Sequence, residues 1–289
     1  MTPGGLACPA MVGPRLSAAG GVVVSGIDLS QPLSQSQNSL ILGAFRDHHV
    51  VVFHNQFLTR EQQYNFSANF GPVESSESAS SPNKRHGVAH VISNLGPDGN
   101  PVDRSSSPVS NYRWHTDKAY HPKPPLMTTL YAVQVPKHGG DTEFANTALA
   151  YAALPEQTKQ FIDGLSVVFR WGSGYAQSGD LPAALTYRRQ PAVHHPLVRR
   201  HPDTGLKALY LGNHASHISE LPEAEGRALL EKLLTHAIRR RFVLVHRWRD
   251  GDLVMWDNRC LLHRAVANYE TGREKRVLHR TVVADAVAG

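Results

Sequence analysis

The sequence predicts a mainly β protein with flanking helices, folded as a double-stranded β-helix (a cupin-like jelly roll). Many short runs of β-branched and aromatic residues are separated by turns that contain Gly, Pro or Asn, and few segments have helical periodicity. In addition, two histidine-containing motifs, at residues 114–117 and 256–263, lie far apart in the chain. They could meet only if strands fold back on each other, which favours two facing sheets.

The beginning of the chain differs from the rest in composition. Residues 1–20 are rich in Pro, Gly and Ala, and we expect them to form a flexible N-terminus. No internal repeat or linker divides the remainder. Residues 21–289 are therefore predicted to form a single domain, long enough to bury an ample core.

The next elements alternate between strand and helix. Residues 21–24 are predicted as a short strand and residues 36–46 as an amphipathic helix. Residues 50–53 are β-branched or aromatic without a break, which predicts a buried strand. Thr59 and Gln62 have the spacing of a capping box, which predicts that a helix begins there.

Two long irregular stretches interrupt the regular elements. Residues 74–111 are rich in Ser, Pro, Gly and Asn, and contain one predicted strand at 88–92. Because long loops in compact domains are usually functional or disordered, we expect residues 74–84 and 97–110 to cover a ligand pocket. Residues 171–190 form a second irregular insertion.

The rest of the chain supplies further strands and two helical regions. Helices are predicted at residues 148–165, with an interruption at Pro155, and at residues 223–238. Strands are predicted at residues 126–135, 193–198, 207–211, 243–246, 253–256 and 276–283.

Composition excludes several classes of function. The chain is 41% hydrophobic and 19% charged, and no apolar run approaches the length of a membrane span. The formal charge is +6, but the basic residues are not interleaved with aromatics, so we expect neither nucleic acid nor membrane as a partner. Without a secretion signal, and with only Cys8 and Cys260, a cytoplasmic protein lacking a disulfide framework is predicted.

The motif that carries chemistry is His115-Thr116-Asp117. Alternate residues of a strand point to one face, so His115 and Asp117 can reach a single ion, and His263 would complete a triangle. Two imidazoles and a carboxylate with open positions suit Fe(II) that must bind a co-substrate and dioxygen. His201-Pro202-Asp203 has the same form, but its turn composition predicts a surface hairpin turn.

Two arginines follow the third candidate ligand. Strict alternation places Arg276, Leu278 and Arg280 on one face of the predicted strand. Two guanidinium groups on one face are suited to bidentate capture of carboxylates.

With these motifs, and with residues 139–142 (Gly-Gly-Asp-Thr), the chain resembles the taurine/2,4-dichlorophenoxyacetate dioxygenase family. These are Fe(II)- and 2-oxoglutarate-dependent oxygenases with a jelly-roll fold. The resemblance extends from about residue 26 to the C-terminus. Residues 213–217 and 251–260 are closer to the phenoxyacetate branch than to the taurine branch.

The resemblance implies a cofactor set and a role for each candidate residue. Fe(II), 2-oxoglutarate and dioxygen would be used together. The implied roles are iron ligands for His115, Asp117 and His263, contacts to the far carboxylate of 2-oxoglutarate for Thr142 and Arg276, and substrate contacts for Asn111 and Arg280. Residues 264–275 form a longer loop than the family pattern, which leaves Arg273 as an alternative to Arg276.

The substrate is expected to be a small anionic molecule, such as an aryloxyalkanoate or another carboxylate, which is hydroxylated with or without C–O cleavage. A sulfonate, a phosphonate or an amino-acid-derived intermediate is the alternative for the same chemistry, because a guanidinium binds all of these anions. A zinc hydrolase and a non-catalytic jelly-roll binding module are alternatives of other classes, although no helical His-Glu-x-x-His is present. We expect a homo-oligomer, either a dimer or a tetramer.

Overall fold

The structure, a computed structural model, describes residues 9–74, 88–103, 110–173 and 191–285, and these are mainly β. The strands in the described residues are β1 (Met11–Ser17), β2 (Gly20–Ser25), β3 (Val50–Phe53), β4 (His90–Ser93), β5 (Met127–Gln134), β6 (Thr142–Asn146), β7 (Ser166–Phe169), β8 (Val193–Pro196), β9 (Val198–Arg200), β10 (Lys207–Leu209), β11 (Ala215–Ile218), β12 (Val243–His246), β13 (Leu253–Asp257), β14 (Leu261–Ala265) and β15 (Val277–Val283). The α-helices are α1 (Gln35–His48), α2 (Arg60–Ala68), α3 (Thr147–Ala152), α4 (Glu156–Ile162) and α5 (Glu223–Ala237), with short 3-10 helices at Ser110–Tyr112 and Arg240–Phe242.

The strands form one large sheet and several small ones. The large sheet has seven strands in the order β1-β2-β3-β13-β5-β15-β4, and every pairing in it is antiparallel except that of β2 with β3. A three-stranded sheet has the order β12-β6-β14. Strands β11, β7 and β8 form another three-stranded sheet, and β10 pairs with β9.

The large sheet and the β12-β6-β14 sheet share one hydrophobic cluster. The large sheet contributes Leu130, Ala132, Val254, Trp256 and Leu278, and the small sheet contributes Phe144, Leu244 and Leu261. The rings of Phe144 and Trp256 meet at a centroid distance of 5.4 Å. Each fully buried side chain of this size contributes roughly 1.5–3 kcal/mol to folding. This contact between two sheets is the double-sheet arrangement that the sequence predicted.

The other face of the large sheet is covered by helices α1 and α2. Because side chains alternate along a strand, Met127, Tyr131 and Met255 point away from the small sheet and pack with Phe45 and Phe66 of the helices. Both helices begin with the reciprocal hydrogen bonds of a capping box, including the predicted box of Thr59 and Gln62 on α2.

Part of the segment predicted to be a flexible N-terminus is a strand. Residues 11–17 form β1, an edge strand paired with β2, with an irregular register between Val12 and Arg15. Pro14 lies within that irregularity, and proline is tolerated at sheet edges and bulges because it has no N–H to donate. Since most of β1 is exposed, it lacks the buried apolar alternation that would have predicted a strand.

The predicted covering loops fall largely outside the described residues. This applies to residues 75–87, to residues 104–109 and to residues 174–190 of the second insertion. The described part of the covering loop at residues 97–110 is held in place, because Thr271 Oγ1 donates a 2.5 Å hydrogen bond to Asp103 Oδ1. In the described part of the chain, no helix has both the length and the apolar character needed to cross a bilayer.

Candidate active site

The chain segments that carry the histidine motifs meet through their backbones. His115 and His263 form an antiparallel bridge, in which His115 N donates to His263 O at 3.0 Å and His263 N donates to His115 O at 2.8 Å. The residues before His115 are held by the 3-10 helix, and His263 is at the centre of β14. The side chains of His115, Asp117 and His263 are buried, and one candidate ligand atom from each lies within 4.8 Å of the others.

The His115 ring is oriented by a backbone carbonyl. Its Nδ1 donates to Arg113 O at 2.7 Å, which leaves the lone pair on Nε2 free. The His263 ring lies 4.2 Å from the His115 ring and 4.7 Å from that of Trp256, measured between centroids. Metal-binding histidines usually donate their other ring N–H to such a partner, as His115 does to Arg113 O.

The Asp117 carboxylate is held by a chain of buried hydrogen bonds. Thr128 Oγ1, on β5, donates to Asp117 Oδ2 at 2.5 Å. Asn258 Nδ2 donates to Thr128 Oγ1 at 3.0 Å, and Trp256 Nε1 donates to Asn258 Oδ1 at 3.1 Å. Because each donor is itself oriented, the carboxylate has little freedom to rotate.

The site favours neutral imidazoles beside an ionised carboxylate. Burial, followed by the charge of His115, lowers the pKa of His263 to about 3, and burial also lowers the pKa of His115. Burial raises the pKa of Asp117, but its electrostatic interactions with His263, Arg280 and His115 and the hydrogen bond from Thr128 outweigh it, so this pKa lies well below its usual value. Both kinds of group are therefore in the form that binds a cation.

A single pocket contains all seven residues that the sequence singled out. It is lined by the polar side chains of Asn111, His115, Asp117, Thr142, His263, Arg276 and Arg280. Apolar side chains form its remaining wall, including Ile92, Leu130 and Leu278. The alternation predicted for β15 is confirmed, since Arg276, Leu278 and Arg280 reach the pocket while Thr281 bonds to Thr129 and Ser67 on the opposite face.

The structure places Arg276, rather than Arg273, in the pocket. Arg276 Nε donates to Gly140 O at 3.1 Å, and burial lowers the pKa of this arginine. The Arg273 side chain is 82% exposed and pairs with Glu270. In the described part of the chain, Gly140 O is the only hydrogen-bond acceptor of the Arg276 guanidinium, so its terminal nitrogens remain available to an anion.

The predicted Gly139-Gly140 turn supports this arginine. Gly139 has a φ of +77°, and a side chain there would collide with the Asn268 carbonyl. Asn268 Oδ1 accepts a 2.8 Å hydrogen bond from Gly140 N, which fixes the turn whose carbonyl holds Arg276.

Arg280 lies near Asp117 Oδ1, the carboxylate oxygen that Thr128 does not contact. Its Nη1 is 3.6 Å from Asp117 Oδ1, and its side chain is 30% exposed. The guanidinium therefore borders both Asp117 and the open part of the pocket.

A second buried cluster combines His49, His201, Asp257 and Cys260, whose candidate ligand atoms also lie within 4.8 Å of one another. His201 Nδ1 accepts from the Asp203 and Thr204 backbone amides, so its Nε2 carries the proton that it donates to Asp257 Oδ2 at 2.8 Å. Arg259 donates to both oxygens of Asp257. Since His201 and Arg259 already donate to the Asp257 carboxylate, these three side chains form a structural ion-pair network.

His201 was predicted to lie in a surface hairpin turn, but its side chain is buried. The turn is present between β9 and β10, but the ring is 1% exposed, because the buried Asp257 carboxylate needs donors. Cys260 is a buried free thiol, as expected, and burial raises its pKa. Sequence reasoning missed the partnership of His201 with Asp257, although Asp257 is part of the motif at residues 256–263.

The His115, Asp117 and His263 set fits a divalent ion that prefers more than four ligands. Two neutral imidazoles and one ionised carboxylate lie around one point, and the pocket beside them could supply the remaining positions. Among the described residues, no fourth protein ligand joins His115, Asp117 and His263, whereas a closed structural zinc site has four.

Comparisons with known proteins agree with this geometry. The sequence model of the taurine catabolism dioxygenase TauD, TfdA family matches residues 13–282. The alpha-ketoglutarate-dependent 2,4-dichlorophenoxyacetate dioxygenase of Cupriavidus pinatubonensis is 38% identical over 94% of this chain and 96% of that protein. The (S)-phenoxypropionate/alpha-ketoglutarate-dioxygenase of Sphingobium herbicidovorans is 33% identical over 93% of this chain and 94% of its own length.

A solved structure gives the same result for the fold. The crystal structure of AAD-2 in complex with Mn(II) and N-oxalylglycine superposes with a TM-score of 0.85 at 33% identity, covering 96% of this chain and 98% of that one. The predicted fold class is therefore confirmed.

Proposed function

Because the chain belongs to the taurine catabolism dioxygenase TauD, TfdA family, it is an Fe(II)- and 2-oxoglutarate-dependent dioxygenase, and we propose that it hydroxylates a small organic carboxylate of the aryloxyalkanoate class. The observation that carries the proposal is the convergence of His115, Asp117 and His263 in one pocket with Arg276 and Arg280. Family membership sets aside the zinc hydrolase and the non-catalytic binding module.

In this proposal His115, Asp117 and His263 hold the iron. The free Nε2 of His115 and the ionised Asp117 carboxylate are suited to that role. Bound iron, together with 2-oxoglutarate and dioxygen, supplies the oxidant that inserts oxygen into a C–H bond, while 2-oxoglutarate is converted to succinate and carbon dioxide. The protein positions the reactants and keeps water away from them.

Arg276 and Thr142 bind the far carboxylate of 2-oxoglutarate. The terminal nitrogens of Arg276 form a planar fork that matches a carboxylate. Its side chain is half-buried in the pocket wall, so its charge is less screened there than at an exposed site. Thr142, on β6, is buried in the wall of the same pocket and offers a hydroxyl donor.

Arg280 and Asn111 face the primary substrate. Arg280 pairs with the substrate anion, while Ile92 and Leu130 line the apolar part of the pocket. An aryloxyalkanoate combines a carboxylate with an apolar ring, and so matches both kinds of surface. If the hydroxylated carbon bears the ether oxygen, the product is a hemiacetal, which breaks into a phenol and a carbonyl compound.

A second substrate class has support among the relatives. The alpha-ketoglutarate-dependent sulfate ester dioxygenase of Pseudomonas putida is 32% identical over 92% of this chain and 87% of its own length. A guanidinium binds a sulfate as readily as a carboxylate, so Arg280 is compatible with either anion. The higher identity of the phenoxyacetate relative favours the aryloxyalkanoate.

The test has two parts. Anaerobic addition of Fe(II) and 2-oxoglutarate should produce a visible metal-to-ligand charge-transfer band, and His115→Ala should abolish both the band and succinate formation. A band of unchanged intensity in His115→Ala would refute its role as a ligand. A screen of succinate release over aryloxyalkanoates, sulfate esters, sulfonates and phosphonates then identifies the substrate class.

The organisation of the protein is proposed as follows. One catalytic domain extends from residue 21, with β1 added to its sheet, and it works in the cytoplasm as a dimer or tetramer. Light scattering after gel filtration measures the assembly, and a monomer at micromolar concentration would refute it.

A further inference from the structure

One tryptophan donates directly to a side chain of the proposed 2-oxoglutarate pocket. Trp248 lies outside the regular strands, between β12 and β13, and it is buried. Its Nε1 donates a 3.0 Å hydrogen bond to Thr142 Oγ1. Trp248 itself does not line the pocket, so it could act on a bound ligand only through Thr142.

This bond determines what the Thr142 hydroxyl can do. A threonine hydroxyl carries one hydrogen to donate and two lone pairs that accept. The indole N–H is a donor only, so it occupies a lone pair and leaves the hydroxyl hydrogen to be directed elsewhere. In the described part of the chain this hydroxyl makes no other hydrogen bond, and its residue lines the pocket. The hydroxyl is therefore set up as a donor to a ligand anion.

The tryptophan is itself held in place. It belongs to the packed cluster that includes Leu130 and Leu278, two apolar residues of the pocket wall. The His246 ring meets the indole edge-on, with centroids 4.6 Å apart at an angle of 87°. His246 is the direct partner of Thr142 in the β12–β6 pairing, so the backbone fixes the spacing of donor and acceptor.

We propose that Trp248 is a positioning residue that orients the Thr142 hydroxyl toward the far carboxylate of 2-oxoglutarate. The inference rests on the proposed function, because it assumes that Thr142 contacts that carboxylate. It predicts that loss of the indole N–H weakens ligands that have a far carboxylate and leaves other ligands unaffected.

Binding of Mn(II) with N-oxalylglycine, measured by titration calorimetry, tests this without turnover. Thr142→Val, which removes a hydrogen bond to a charged group, should weaken N-oxalylglycine about 10- to 100-fold. Trp248→Phe, which keeps a ring but removes the N–H, should weaken it roughly 2- to 10-fold. In the Thr142→Val background, Trp248→Phe should have less than about a 2-fold further effect, because the bond that it removes is already absent.

Two controls separate positioning from general damage. Pyruvate has the same 2-oxo acid group but no far carboxylate. Its dissociation constant, obtained by competition with N-oxalylglycine, should therefore be unchanged in Trp248→Phe. Tyr131→Phe removes another buried hydrogen bond, the one donated to Gln56 O, and should lower the melting temperature without weakening N-oxalylglycine.

A measurement on the unsubstituted indole covers the case in which Trp248→Phe does not fold. Of the four tryptophan indole signals in 15N-labelled protein, one should shift in Thr142→Val and exchange faster with solvent. If no indole signal responds, the inference is overturned.

The outcomes distinguish the role of Trp248 from the proposed role of Thr142 in binding 2-oxoglutarate. Normal affinity in Thr142→Val would overturn the assignment of Thr142 itself. Weak binding in Thr142→Val with normal binding in Trp248→Phe would overturn the role of Trp248 alone. Equal weakening of pyruvate and N-oxalylglycine in Trp248→Phe, or full additivity with Thr142→Val, would also overturn it.

Discussion

Replacing Arg276 by alanine is the most informative change in the co-substrate pocket. The Arg276 side chain is half-buried in the pocket wall and its Nε is bonded to Gly140 O, so a far carboxylate of 2-oxoglutarate that pairs with its terminal nitrogens would be buried with it. Truncating one partner of a buried, hydrogen-bonded charge pair costs about 2–5 kcal/mol, part of which is the penalty of leaving the other charge unpaired. We therefore expect the dissociation constant of 2-oxoglutarate to rise about 30-fold to several thousand-fold in Arg276→Ala.

The neighbouring arginine provides a matched control for this substitution. Arg273 lies in the same loop and carries the same charge, but its side chain is exposed and paired with Glu270. Arg273→Ala should change 2-oxoglutarate affinity less than about 3-fold, because exposed ion pairs are worth 1 kcal/mol or less. The assay is the anaerobic titration of the charge-transfer band with 2-oxoglutarate. Normal affinity in Arg276→Ala, with weakened affinity in Arg273→Ala, would refute the assignment.

Three further substitutions test the metal-site carboxylate and the second buried cluster. Thr128→Val removes the hydroxyl that donates to the Asp117 carboxylate and should weaken Mn(II) binding roughly 10-fold or more. Thr129→Val, on the other face of β5, should leave Mn(II) binding unchanged. Equal Mn(II) affinities of the two variants, measured by calorimetry, would contradict this. Arg259→Met leaves the buried Asp257 carboxylate without its cation and should lower the free energy of unfolding by about 3–5 kcal/mol in urea titrations, so a loss below about 1 kcal/mol would argue against the ion-pair network. Burial lowers the pKa of His49 to about 4, so the unfolded chain binds more protons than the folded one between pH 6.5 and 4. The free energy of unfolding should therefore decrease as the pH is lowered through that range. His49→Asn, which tolerates the φ of +62°, should flatten this dependence in thermal melts, and an unchanged slope would rule out His49 as its source.

The features that were predictable from the sequence have short-range signatures. The capping box at Thr59 and the unbroken strand at residues 50–53 are local patterns, and both are present in the structure. The spacing of His115 and Asp117 and the alternation of Arg276 with Arg280 placed four side chains that line one pocket. The positions of Arg276 and Arg280 follow from the two-residue period of a strand. The strand predicted for His115 and Asp117 is not present, because His115 lies in an isolated bridge with His263 and Asp117 lies in the turn that follows.

The features that were not predictable depend on contacts between distant segments. Thr128 on β5 bonds to Asn258 in the turn after β13, and Trp248 donates to Thr142 from a different part of the chain. A side chain that packs or bonds across sheets has no local sequence pattern, so its partner can be known only from the fold. His201 is an example, because a turn composition says nothing about the buried carboxylate that the ring meets.

The location of the metal is the most direct test of the central claim. Crystals grown with Mn(II) and N-oxalylglycine should give one strong anomalous difference peak within coordination distance of His115, Asp117 and His263, with the ligand carboxylate against Arg276. A peak at the His49, His201, Asp257 and Cys260 cluster, or no protein-bound metal in crystals that contain the ligand, would contradict the account.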